Sequence, residues 1–222
     1  MISIKASGET REHYIGNIIS VWRAATPEQM QRGRTWYHVA NELASLITDG
    51  DARTGAGVIA ALSANKSWSE NCRLARQAYE TGRPVGHFQD ALTKVAKIMA
   101  GADPAEVLPM ERKTGMFFRC IADPSDPDAV VIDRHAHDVA VGETYGNRDR
   151  GLGSAGRYAL LAHCYREAAL RLGELPSIVQ SVTWVVHTER IAGTGTRAFE
   201  GRRTAAVSST CWARSSVAER AS

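Results

Sequence analysis

Apolar residues return at every third or fourth position over most of this chain, and glycine or proline cuts the pattern before any run grows long. That period belongs to a helix with one face turned inward, so the expected fold is all-α, built from about eight to ten short helices. Segment 11–24 sets Tyr14, Ile18, Val21 and Trp22 on one stripe, and 27–46 does the same with Trp36, Tyr37, Val39, Ala40, Leu43 and Ala44. Segment 87–100 carries Phe88, Leu92, Val95, Ile98 and Met99, then stops at Gly101 and the Asp103–Pro104 pair. The same reasoning predicts a helix ending at Gly82, a short one through AEVLP, and others at 113–121, over HAHDVAVG, at 155–172 and at 176–191. The run GVIAALSAN fits a helix or a strand by pattern alone.

Beyond Gly193 the period fails and Arg, Ser, Ala and Thr take over. One helical domain is therefore expected over 1–193, followed by an irregular, mobile tail over 194–222. No unit recurs at a fixed spacing, which removes solenoid architectures. No stretch nears the roughly 18–20 apolar residues of a spanning helix. The opening MISIKASGETREHYIG is too polar for an export signal. A cytoplasmic monomer without membrane contact is the expectation.

Cys72, Cys120, Cys164 and Cys211 lie far apart, with no C-x-x-C pair and no Cys/His cluster. This spacing argues against disulfides, a zinc finger or an iron–sulfur loop, and predicts buried thiols. No cofactor and no metal are expected. The formal charge of +3 permits nucleic acid without demanding it.

Three groups of residues bear on chemistry. Asp133 stands directly before RHAHDVAVG, where a carboxylate accepts from the free N–H groups of a helix start. Lys113 opens the helix 113–121, where a cation opposes the macrodipole and gains nothing from it. Some other role, helped by partial burial, should favour it there. His135, His137 and Asp138 form H-x-H-D, but an i, i+2 spacing turns the two rings to different faces, a poor arrangement for joint ligation. His135 is expected on the same side as Asp133, with His137 packed or facing solvent. Arg148, Arg150 and Arg157 lie in or beside a glycine-rich loop that either is solvated or contacts phosphate.

RKTG at 112–115, followed by an apolar helix, a loop and VIDRH at 131–135, resembles the helix-hairpin-helix DNA glycosylase superfamily in its endonuclease III-like branch. GVIAALSANKSW is similar to that family's apolar helix ending in an LSAQ-type stretch. The resemblance runs in order over about residues 30–150. It implies a helix-hairpin-helix glycosylase-like bundle acting on double-stranded DNA, with Lys113 as the amine that attacks C1′ and Asp133 stabilising the sugar cation. It also implies DNA contacts from Asn65, Lys66, Trp68, Arg112, Thr114, Arg134 and His135, with Trp68 stacking on a base or packing in the core. The family's LPGVG-type hairpin reads LPMER here, without the glycines that bring backbone N–H groups to a phosphate, so Arg112 would make that contact by its side chain. Two alternatives stand beside the glycosylase: an enzyme resembling phage α-glutamyl/putrescinyl thymine pyrophosphorylases of DNA hypermodification, and a non-enzymatic helical DNA-binding protein.

Overall fold

The computed structural model describes residues 6–197. In chain order its helices are α1 (Gly8–Arg23), α2 (Pro27–Ile47), α3 (Ala52–Ala61), α4 (Trp68–Thr81), α5 (Gln89–Met99), α6 (Pro104–Val107), α7 (Lys113–Ala122), α8 (Arg134–Val141), α9 (Ala155–Leu172) and α10 (Pro176–Arg197). Among the described residues there is no strand, and the all-α expectation is met. No helix among them is long and apolar enough to cross a membrane.

Local chemistry explains most of the boundaries. Thr26 and Gln29 form a reciprocal capping box ahead of Pro27, and Asp51, Ser67 and Ser154 each accept a backbone N–H at the starts of α3, α4 and α9. Gly82 closes α4, as the sequence predicted. The ambiguous run after Gly57 belongs to α3 and its C-terminal turn. Every residue of α3 from Gly55 to Ala61 is buried, so its apolar residues show no stripe that would mark a helix. α3 lies at the centre, packed against α2, α5 and α7.

α10 continues to Arg197, past the boundary expected at Gly193. Threonine and glycine lower helix propensity without forbidding a helix, so the loss of apolar period at Gly193 did not mark its end. The rest of the segment read as a tail lies outside the described residues, as does Cys211.

The packing of α2 on α10 positions one wall of the site. A Cβ at Gly33 would fall 2.4 Å from Val182 Cγ2 and 2.5 Å from its Cα, so the two backbones meet only because residue 33 has no side chain. Ser181 Oγ donates to Gly33 O at 2.7 Å and seals the contact. One turn further along α2, buried Tyr37 donates its hydroxyl to Gln180 Oε1 at 2.9 Å. Burial pushes the Tyr37 hydroxyl well up from its ordinary pKa, which keeps it a donor. The thiols of Cys120 and Cys164 are buried and pushed up by burial to about 12 and about 11, while Cys72 is half-buried.

Candidate active site

Lys113 and Asp133 are twenty positions apart, and chain geometry brings them to one end of the molecule. α7 spans 10 residues, a rise of about 15 Å. The loop 123–128 then turns the chain, and buried Ala129, Val130, Val131 and Ile132 carry it back toward the start of α7, since Lys113 and Asp133 border one cavity. Asp126 holds the reversal: it accepts a fork of two 2.8 Å bonds from Arg119 of α7, and its Oδ1 also takes the N–H groups of Asp128 and Ala129 at 2.9 Å. Tyr158 of α9 pins the return path, its hydroxyl accepting from Ile132 N at 3.2 Å and donating to Val130 O at 3.4 Å.

Asp133 is the N-cap of α8. Its Oδ1 accepts from His135 N at 3.0 Å and Ala136 N at 2.8 Å, so both cap bonds use one oxygen and Oδ2 stays outside the cap. Lys113 is the first residue of α7, behind Arg112, which caps with no side-chain bond. Lys113 is exposed, not half-buried as expected, because α7 begins at the surface where the LPMER turn ends. That turn closes with Arg112 N donating to Pro109 O at 3.0 Å. A Cβ at Gly115 would sit 2.3 Å from Met110 Cα and 2.6 Å from Pro109 O, so the glycine of RKTG lets the turn lie directly on α7.

Both residues border a two-part cavity. The inner recess, about 140 Å³, is walled by Trp36, Tyr37, Trp68, Phe117 and Trp184 and edged by Ser63, Asn71, Gln180 and Ser181. It opens past Lys66, Lys113 and Asp133 into an outer cleft of about 980 Å³, near the top of the range of about 300–1,000 Å³ usual for ligand sites. Asn65, Lys66, Trp68, Arg112, Arg134 and His135 all line the outer cleft with Lys113 and Asp133. Thr114 does not. One residue further along α7 it lies about 100° around the helix from Lys113, and it is half-buried instead.

The placements separate the roles the sequence left open. Asn65 is exposed in the α3–α4 turn at φ +58°, a left-handed conformation that asparagine tolerates better than most residues. Trp68 is both packed and presented: half-buried, its ring lies 4.9 Å from Trp36 and 6.5 Å from Phe117, yet it lines both parts of the cavity. Arg112 donates to Gly153 O at 3.0 Å, tying the LPMER turn to the 151–154 loop. Arg134 donates to His135 Nε2 at 3.0 Å, and the His135 ring meets Trp184 and His187 edge-on. Burial lowers the pKa of His135, which favours the neutral ring.

His137, Asp138 and the glycine-loop arginines form a separate structure behind α8. His137 is fully buried, so of the two expectations it is packed and does not face solvent. Its Nδ1 pairs with Asp138 Oδ1 at 2.9 Å and its Nε2 faces Arg157 at 3.2 Å, so a neutral ring with its proton on Nδ1 satisfies both. Arg150 forks onto Asp138 at 2.7 and 2.8 Å, and Arg148 pairs with Glu143 and covers the Tyr145 ring at 4.1 Å. Arg150 and Arg157 are held by internal partners, whereas Arg148 pairs with Glu143 on an exposed loop, so the solvated reading holds for the loop itself. Among the described residues no group of three or more His, Cys, Asp or Glu side chains is placed to hold a metal ion.

Reasoning from sequence missed Asn71, Gln180 and Trp184. A signal existed: Asn71 interrupts a face of α4 otherwise made of Leu74, Ala75 and Ala78, and Gln180 sits among the buried residues of α10. A polar residue inside an apolar stripe marks either a core hydrogen bond or a site.

Fold and cavity together define a helical protein with an aromatic recess opening into a cleft that carries an amine, a carboxylate and several cations. The chain belongs to DUF7178, a family of unknown function, which it matches over residues 1–191. No curated protein and no solved structure matches it.

Proposed function

We propose that this protein is a DNA base-processing enzyme, acting as a monomer on double-stranded DNA. It takes a base out of the stack into the aromatic recess and works on the exposed sugar with Lys113 and Asp133. The observation that carries this reading is the meeting of that amine and that carboxylate at the mouth of a recess walled by tryptophans. The resemblance of RKTG and VIDRH to helix-hairpin-helix glycosylases supplies the reaction class. A base inside a duplex is out of reach until it is extruded, and stacking between aromatic side chains offsets part of that cost. Asn65, exposed at the tip of the α3–α4 turn, is the side chain to enter the gap.

The Lys113 amine, as the free base, forms a bond to C1′ as the glycosidic C–N bond breaks. The bonding pair leaves on the base, which takes up a proton. The attached nitrogen loses a proton, the C1′–O4′ bond opens with O4′ protonated, and a Schiff base results. Asp133 Oδ2 stabilises the positive charge that develops on the sugar in the transition state.

Borohydride reduction tests the covalent step. On duplexes carrying uracil, an oxidised base or an abasic site, the wild-type chain is expected to give a trapped protein–DNA adduct, and folded Lys113→Gln none. A folded Lys113→Gln protein that releases base as fast as wild type removes the amine from the mechanism. Absence of adduct on every substrate, with a modified nucleoside found in treated DNA, moves the reading to base modification on the same fold.

Lys66, Arg112, Lys113 and Arg134 line the cleft against the single carboxylate of Asp133. If Lys66, Arg112 and Arg134 neutralise three phosphates, with Lys113 kept for the attack on C1′, affinity for duplex DNA should fall about 40-fold between roughly 50 and 200 mM salt. Fluorescence anisotropy across that range checks it, and an affinity independent of salt would remove the cleft as the phosphate track.

A further inference from the structure

We propose that Asn71 and Gln180 are the specificity-determining pair of the inner recess, reading the hydrogen-bonding edge of a planar nitrogen heterocycle stacked among Trp36, Trp68 and Trp184. This rests on the base-processing reading of the cleft and assigns the recognition step to two residues outside the Lys113–Asp133 pair.

Asn71 is 2% exposed, lines the recess, and has a buried Oδ1 with no hydrogen-bond partner. A buried polar atom without a partner destabilises a fold, and its retention calls for something that pairs with it. Gln180, at 5% exposure, is oriented from behind: its Oε1 accepts from the Tyr37 hydroxyl at 2.9 Å, so what it offers the recess is its N–H donors. Asn71 offers an acceptor and a donor, and Gln180 adds a second donor. An aliphatic ligand would leave all three unpaired. A heterocycle with neighbouring N–H and acceptor groups on one edge pairs with them while its faces stack on the indoles. Sites built this way reject analogues that lack the matching edge far more strongly than shape alone allows.

The test uses the full chain and its own tryptophan fluorescence, titrated with deoxyadenosine, deoxycytidine, deoxyguanosine, thymidine and deoxyuridine, with base release from DNA assayed in parallel. Two variants separate recognition from folding. Asn71→Leu keeps similar volume and removes the orphaned amide. Gln180→Glu still accepts from Tyr37 but replaces the donors with an acceptor. The expected result is a melting temperature for Asn71→Leu equal to or above wild type, with affinity for the preferred nucleoside lower by about tenfold or more. Gln180→Glu should change the ranking of the five nucleosides. Wild-type affinity and ranking in both variants would overturn the assignment while leaving base processing intact. A lowered melting temperature with unchanged affinity in Asn71→Leu would make Asn71 a structural residue and overturn it too. If no nucleoside quenches wild-type fluorescence, the pair does not read a base, and borohydride trapping decides separately whether the cleft processes one.

Discussion

Asp133→Asn is expected to leave the fold intact and to reduce base release by about 10²–10³-fold, the usual cost of removing one electrostatic stabiliser of a transition state. Asparagine caps helices about as well as aspartate, and a single side-chain oxygen already makes both cap bonds, to His135 N and Ala136 N. The substitution therefore removes only the negative charge. Asp133→Ala removes the cap as well and should cost about 1 kcal/mol of stability in addition. Urea unfolding beside single-turnover base release separates the two effects. A folded Asp133→Asn protein with wild-type turnover would mean that Asp133 is a cap and nothing more, and would remove its charge from the mechanism.

Arg150→Ala is expected to destabilise the protein by about 3–5 kcal/mol, the range for breaking one side of a buried ion pair. The side chains of Asp138 and Arg150 are 2% and 12% exposed, and the two are joined by a fork of bonds at 2.7 and 2.8 Å. Burial by itself would raise the Asp138 pKa. The Arg150 guanidinium, His137 and the Tyr145 N–H outweigh burial and hold it down at about 2, against the ordinary 3.8. A depressed carboxylate contributes its stability above the unfolded value and loses it as pH falls, here between about 4 and 2. Wild-type stability should drop steeply through that window, and Arg150→Ala should show a flatter drop from a lower start. Equal urea midpoints for the two proteins at pH 7 would remove the pair from the stability of the α8 region. By contrast, breaking Arg32–Glu189, an exposed pair, should change the midpoint little.

The two arguments differ in how far the sequence carried them. Asp133 as a helix cap was legible, because an aspartate ahead of a helical run has few other local uses. Lys113 at the start of α7 was equally legible. That both would face one cavity came from an order of motifs, and the structure adds the bonds that hold the chain between them, the Arg119–Asp126 fork and the two bonds of Tyr158. Arg150 was not legible. A charged residue in a glycine-rich loop looks solvated or ligand-bound until its partner is seen, and Asp138 lies twelve positions away on the far side of a turn.

The sequence by itself determined the helices, most of their ends, and the placement of Lys113 and Asp133 at helix starts, because period, capping and turn chemistry act over a few neighbouring residues. Tertiary structure alone decided that α3 is buried on every side and that Gly33 lets α10 close on α2. Only there did Asn71, Gln180 and three tryptophans come to wall one recess. Those facts depend on contacts between residues far apart in the chain, and local patterning carries no record of which distant faces will meet.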